Sequence, residues 1–282
     1  MKKVIVTSDS VCDLSPELCR RYNVDILPLT VSFDSTSHKD GVDITPDDVF
    51  NFYKETGHLA KTAAVTPLEY SEFFNARLDG NTEIIHFCIS SDMSSSYANS
   101  MLAASELEGV YPIDSRNLST GIGLLVLHAC DMASSGKYTG KQIADEINSL
   151  RDKVYASFVI DTLTYLWKGG RCSGVAALGA NVLKIKPCIE VKDGKMGVGK
   201  KYRGKIGDVM VEYARNKLNS VENIRTNRIF ITTSGTSQEN IDRVKEVVEA
   251  YADFDEILIT TAGCTVASHC GYNTLGILFI AG

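Results

Sequence analysis

The chain has 282 residues, of which 44% are hydrophobic and 23% charged, and it carries a net charge of −6. That length exceeds the usual limit of a single core and points to two domains, while the acidic balance argues against general binding to nucleic acid or anionic membranes. No apolar run reaches the roughly 18 residues of a membrane span, and eight scattered cysteines without a Cys-x-x-Cys read as reduced, mostly buried cytosolic thiols.

Lys3–Thr7 reads as a first strand, and Asp9 interrupts the apolar run too early for a signal peptide. Ser15-Pro16-Glu17 opens a helix with proline at its first position. Asp25–Phe33 reads as one extended segment. Thr45-Pro46-Asp47-Asp48 opens a second helix with its acids at the positive dipole end, and Thr66-Pro67-Leu68-Glu69 is a capping box for a third. Glu83–Ile89 and Val110–Asp114 are predicted strands, followed by helices over about Ser95–Glu106 and Ser119–Ser135. Thr139–Arg151 is amphipathic through Ile143, Ile147 and Leu150.

Tyr155–Ile160 is the next strand, followed by a short helix, Leu163–Lys168, with Leu163, Leu166 and Trp167 on one face. Gly169-Gly170 stops that helix in a left-handed turn, and Arg171 follows at once, a fixed guanidinium suited to an anion or a partner. Ile185–Val191 and Met196–Lys201 flank Asp193-Gly194, a strong hairpin signal. A helix over about Lys205–Leu218 precedes the strand Arg228–Thr233, a helix from Gln238 to Ala250 and the strand Glu256–Thr261. The rhythm predicts an α/β fold with two domains, 1–152 around a mainly parallel sheet and 153–282 around a mixed sheet.

Ligands of open α/β sheets sit beyond the carboxyl ends of strands. Small polar residues stand at those ends: Ser8-Asp9-Ser10, Ser90-Ser91, Asp114-Ser115, Asp161-Thr162 and Ser234. Ser94-Ser95-Ser96-Tyr97 is the densest hydroxyl cluster, and capping by one serine is its plainest role. Asp9 is expected to brace neighbouring loop amides. His269, at a helix-like turn before Gly271, is the one histidine in the last half of the chain, and nothing in sequence converges on His38, His58, His86 or His128. Cys264, His269 and Cys270 match no common zinc spacing, so no metal is expected. There is no Gly-x-Ser-x-Gly elbow, no Walker loop between Gly136 and Lys141, and no dinucleotide fingerprint at Gly121-x-Gly123 or Gly194-x-x-Gly197-x-Gly199. No intrinsic catalysis and no cofactor are expected.

Read together, these segments resemble the DegV family over essentially the whole chain. The resemblance rests on Ser8-Asp9-Ser10 with Asp13-Leu14, Pro28-Leu29-x-Val31, Asp40-Gly41-Val42-Asp43-Ile44, Lys61-Thr62, and Ser90-Ser91-x-x-Ser94-x-x-Tyr97. It continues through Ile113-Asp114-Ser115, Tyr165-Leu166-x-x-Gly169-Gly170-Arg171, Lys186-Pro187, Tyr202-Arg203-Gly204 and His269-x-Gly271. It implies two α/β domains with a long-chain fatty acid in an apolar tunnel near their junction. The protein would act as the cytoplasmic, non-catalytic acyl-carrying subunit for a separate ATP-dependent fatty acid kinase, in lipid transport or fatty acid metabolism. The carboxylate-holding roles fall on Thr62, Ser94 and His269, with Arg171 as a further contributor, and the kinase-docking role falls on Arg203. Three loops depart from the family pattern: Thr62-Ala63-Ala64-Val65 for Thr-Ser-Gln-Pro, Ser94-Ser95-Ser96-Tyr97 for Ser-Gly-Thr-Tyr, and His269-Cys270-Gly271-Tyr272-Asn273 for His-x-Gly-Pro-Gly. The family's relation to dihydroxyacetone kinase supplies an alternative, in which His269 holds a small polar substrate. A long apolar tunnel against a small polar cup separates the two.

Overall fold

The structure, a computed structural model, describes residues 2–172 and 185–282. The chain begins with β1 (Lys3–Asp9), α1 (Pro16–Tyr22), β2 (Asp25–Leu27), β3 (Thr30–Phe33), β4 (Thr36–Lys39), α2 (Pro46–Thr56), β5 (Lys61–Ala63) and α3 (Pro67–Asn75). It continues through β6 (Thr82–Cys88), α4 (Ser96–Ala104), β7 (Val110–Asp114), α5 (Thr120–Ser134), α6 (Gly140–Leu150), β8 (Val154–Val159) and α7 (Thr164–Gly169). It closes with β9 (Lys186–Lys192), β10 (Lys195–Tyr202), α8 (Ile206–Asn219), β11 (Ile224–Ser234), α9 (Gln238–Tyr251), β12 (Ile257–Thr261), α10 (Cys264–Cys270) and β13 (Thr274–Ala281).

Helix starts follow the local chemistry. Ser15 accepts the Leu18 N–H, with Pro16 in the first turn. Thr45 with Asp48, Thr66 with Glu69 and Thr139 with Gln142 each form a reciprocal capping box. The Asp193-Gly194 turn has both residues at positive φ, 50° and 78°, as a two-residue hairpin requires.

Among the described residues the strands form three sheets: a parallel one ordered β2-β1-β6-β7, a mixed one ordered β10-β9-β8-β13-β11-β12, and a small antiparallel one ordered β4-β3-β5. The segment expected as one extended stretch divides at Pro28-Leu29: Asp25–Leu27 pairs with β1, and Thr30–Phe33 pairs with β4 and β5. Proline has no N–H to continue a ladder, and the chain changes sheets there. The strand β13 was not expected. It is buried at every position and occupies the middle of the mixed sheet, between β8 and β11.

α5 is apolar nearly all round because it is covered on both sides. It packs on β1 and β6 of the parallel sheet and on β8, β11 and β13 of the mixed sheet. One core therefore runs from Ile84 and Phe87 through Leu125 to Phe230 and Leu278. A second core around Tyr213, Val244 and Ile277 lies under α8 and α9. No helix among the described residues is long and apolar enough to cross a membrane. No disulfide joins the eight cysteines, and only Cys19 is partly exposed.

Candidate functional site

A cavity of about 150 Å³ opens where the small sheet, α7 and α10 meet the loop before α4. Thr62, Ser94, Arg171 and His269 all line it, from four different elements. Thr62 comes from β5, Ser94 from the loop after β6, Arg171 from the end of α7 and His269 from α10. The structure thus brings together four of the five residues singled out in the sequence. Arg203 lies apart, exposed, just beyond the end of β10.

Thr62 Oγ1 and His269 Nε2 are 3.0 Å apart. His269 Nδ1 is buried without a hydrogen-bond partner. Burial, and then the nearby Arg171 charge, lower the His269 pKa to about 4, so the ring is neutral at pH 7. A buried N–H without an acceptor is rarer and costlier than a bare acceptor. The hydrogen is therefore assigned to Nε2, which donates to Thr62 Oγ1. The Thr62 hydroxyl hydrogen is left to point into the cavity. The pair forms a short relay of neutral donors.

The two glycines have separate roles. Gly170 takes φ +68° and caps α7, as expected. Gly169 is still helical, and a Cβ there would lie 2.6 Å from His269 Nδ1, so only glycine lets α7 approach the imidazole so closely. Arg171 Nη1 donates to Gly169 O at 2.7 Å, which holds the guanidinium back over its own helix end at the cavity rim. Within α7 the buried aromatic is Tyr165, not Trp167, which is 63% exposed. Tyr165 packs where Gly271 leaves room, since a Cβ on Gly271 would meet its ring at 2.4 Å.

Ser94 Oγ accepts the Ser96 N–H at 3.2 Å and lies 3.0 Å from Ser96 Oγ. It therefore steadies the start of α4 while facing the cavity, whereas Ser95, at the N-cap position, makes no side-chain cap. One of the loop departures keeps the backbone shape of the family pattern. Asn273 sits at φ +55°, a conformation that suits glycine best and asparagine next. Its Nδ2 donates to Asp161, which also receives Lys186 Nζ.

A second, smaller cavity of about 30 Å³ adjoins the first, and Leu118, Phe158, Val266 and Cys270 line both. Its open surface is almost wholly apolar, between Ala156, Gly276 and Leu278. Sequence reasoning did not find these wall residues. They are ordinary core positions in the pattern, and only the gap between the mixed sheet, the start of α5 and α10 leaves them facing open space.

One expectation needs correction. His86 is not isolated: it is fully buried, with Nδ1 2.8 Å from Thr7 Oγ1 and Nε2 3.2 Å from Asp9 Oδ1. Asp9 also accepts Tyr70 OH at 2.7 Å, and it reaches one loop amide, that of Ile89, at 3.4 Å. A carboxylate oxygen, a ring nitrogen and the Cys88 thiol lie within 4.8 Å of one another there. Each already has a protein partner, the thiol bonding Ser100. The parallel register puts Thr7 opposite His86, so the alternation of side chains sets all four residues on one face under α3 and α4. The β9–β10 hairpin carries several lysines. Lys195 pairs with Asp92 and Lys200 with Glu212, on a strand that edges the sheet and carries a bulge. Lysines and bulges commonly protect such edges from stray pairing.

The chain matches the model of the DegV family, described as "Uncharacterised protein, DegV family", over residues 3–282. It is 31% identical over 285 residues to a DegV domain-containing protein of Clostridium perfringens, covering 99% of each. Among solved structures it superposes on the fatty-acid-binding DegV family protein of Thermus thermophilus with a TM-score of 0.91, 25% identity and full coverage of both chains. It superposes on a stearic-acid-binding protein of Eubacterium ventriosum with a TM-score of 0.85 and 27% identity, covering 100% of this chain and 98% of that one. With the family pattern running from its first strand to its last residue, the chain belongs to the DegV family.

Proposed function

We propose that the protein binds a long-chain fatty acid, with the carboxylate at Thr62, Ser94 and His269 near Arg171 and the acyl chain directed past Phe158 into the apolar cavity. The observation that carries this reading is the sequence of environments: a cavity with neutral hydroxyl and imidazole donors adjoins, across the shared wall of Phe158 and Val266, one whose open surface is apolar. A small polar substrate would leave the second cavity without a role. Fatty acid binding by the Thermus and Eubacterium proteins supports the same reading. Residues 1–152 and 153–282 are read as the two units that meet at this cavity.

The energetics agree. Each buried methylene contributes about 0.8 kcal/mol, so a chain of about fourteen gives roughly 11 kcal/mol before ordering and association costs. The carboxylate is the expensive end and must keep hydrogen bonds. Neutral donors satisfy it without the strong ion pair that would quench its nucleophilicity. That suits transfer of a phosphoryl group to it by a separate ATP-dependent kinase, docking through the exposed Arg203. A cavity of about 150 Å³ is one that a benzene-sized molecule fills, so a long chain requires Phe158 and Val266 to part.

Native mass spectrometry of the purified protein tests the reading. A retained mass matching a fatty acid is expected, with calorimetric binding of palmitate and none of dihydroxyacetone. Binding of dihydroxyacetone but not palmitate would overturn it. With ATP, magnesium and palmitate, the protein alone should form no acyl phosphate.

A further inference from the structure

α10 has seven residues and carries His269 at its sixth position. A helix this short has little stability of its own and takes its orientation from what holds its ends. Its beginning is gripped by two buried carboxyl groups from the other end of the chain. Gly263 N donates to Asp13 Oδ1 at 2.8 Å. Cys264 N and Thr265 N donate to the two oxygens of Asp40, at 2.7 and 3.1 Å. These bonds span between 224 and 250 positions of sequence. No side chain within α10 or at Gly263 caps the helix itself.

The carboxylates are held in turn. Ser10 Oγ donates to Asp40 Oδ2 at 3.1 Å, and Ser119 Oγ donates to Asp13 Oδ2. Ser119 adopts φ 53° and ψ −146°, a region that residues other than glycine rarely visit. Burial pushes the Asp13 carboxyl up to about 8 despite its bonds to Ser119 and Gly263, so at pH 7 it sits largely as the neutral acid, whose carbonyl oxygen still accepts the Gly263 N–H. Asp13 and Asp40 are both about 95% buried, at 5% and 4% exposure. A Cβ on Gly263 would lie 3.1 Å from an oxygen of each, so both carboxylates converge on that glycine. Burying two acids side by side is costly, and the amides of one helix end are what they gain.

We propose that Asp40, assisted by Asp13, is a positioning residue of the ligand site: by clamping the first amides of α10 it fixes where His269 meets Thr62. Neither carboxylate lines the cavity, so neither touches a ligand. The clamp acts along the helix: turning or sliding α10 would separate His269 Nε2 from Thr62 Oγ1 and drive Nδ1 against Gly169. This inference rests on the assignment of the cavity as a fatty-acid carboxylate site, but the His269 geometry can be measured without any ligand.

The test uses the full chain with Asp40→Asn, which keeps shape but turns an amide N–H₂ toward a helix N–H, and Gly263→Ala, which wedges the carboxylates off the amides. Ile147→Val, in the core on α6 and outside the cavity lining, is the control for general loosening. Imidazole nitrogen NMR of the ligand-free protein reads the His269 tautomer, and palmitate calorimetry reads affinity. Wild type and Ile147→Val should show a single neutral Nε2–H form. Asp40→Asn should show a mixed population and bind palmitate about tenfold more weakly, the lower end of a hydrogen bond to a charged group. Gly263→Ala should move both readouts in the same direction by less. Unchanged His269 signals in folded Asp40→Asn would overturn the proposal. If that variant does not fold, unchanged signals in Gly263→Ala do the same. A wild type that shows the expected tautomer but binds no palmitate would sink the ligand assignment and leave the clamp to be decided by the NMR comparison alone.

Discussion

Thr62→Ala is the most direct perturbation of the relay. The hydroxyl is 3.0 Å from His269 Nε2 and is the group through which the neutral ring acts on the cavity. If Thr62 holds the proposed carboxylate, its loss removes one hydrogen bond to a charged group, about 1.5–3 kcal/mol, or roughly a 10- to 150-fold loss of affinity. It also leaves the His269 Nε2–H without an acceptor, which costs the ligand-free protein about 1–3 kcal/mol of stability. His269→Gln retains an N–H donor near the same place, so it should lose less affinity than His269→Ala.

The decisive measurement is the double-mutant cycle. If His269 works through Thr62, His269→Ala should cost little further affinity once Thr62 is alanine, giving a coupling of about 1 kcal/mol or more. Calorimetric titration with palmitate across the four proteins supplies it. Ser94→Ala is the comparison: it should lose affinity and also about 1 kcal/mol of stability, because Ser94 Oγ accepts the Ser96 N–H. Wild-type affinity in Thr62→Ala, or two single-mutant losses that simply add, would refute the relay.

Arg203→Ala should cut phosphorylation by a partner kinase, with a docking term that weakens as salt rises, and should leave palmitate affinity intact; loss of lipid binding instead would place Arg203 with the ligand. Phe158→Ala should cost the ligand-free protein about 3–5 kcal/mol and open the partition between the cavities, so palmitate should raise its melting temperature more than that of wild type; an equal or smaller rise would show that the chain does not pass Phe158. The unfolded imidazole of His269 protonates below 6.5, whereas the folded one resists until about 4, so stability should fall as pH drops through that window. The loss is bounded by about 3 kcal/mol and should be missing from His269→Gln; matching acid profiles of the two proteins would refute the buried neutral ring.

Much of the fold was legible because its signals are local. Ser15, Thr45 and Thr66 announce helices through caps that need only three or four neighbouring residues, and Asp193-Gly194 announces a hairpin through two left-handed positions. β13 was missed because Leu275–Ile280 is apolar without alternation, the pattern of a strand covered on both faces, and nothing in it names its partners β8 and β11. Trp167 was misplaced because α7 is a turn and a half long, too short for periodicity to tell Tyr165 from its neighbours.

The site was legible to a different degree, and the reason is sequence distance. Thr62 and His269 are 207 positions apart, and Asp40 and Cys264 are 224. No periodicity or spacing rule reaches that far; the resemblance to a family connected the first pair, and nothing connected the second. Yet the residues that make those contacts possible carry local marks: Gly169 beside Gly170, and Gly263 just before α10. Gly170 is required by its own backbone. Gly169 and Gly263 have ordinary helical and extended backbones that alanine could adopt, so their glycines answer to a neighbour, an imidazole in one case and two carboxylates in the other. A glycine that its own conformation does not demand can thus be the sequence's trace of a close approach; Gly121, Gly140 and Gly207 answer to Asn117, Tyr111 and Asn240 in the same way, and Gly169 and Gly263 are the two that border the helix carrying His269.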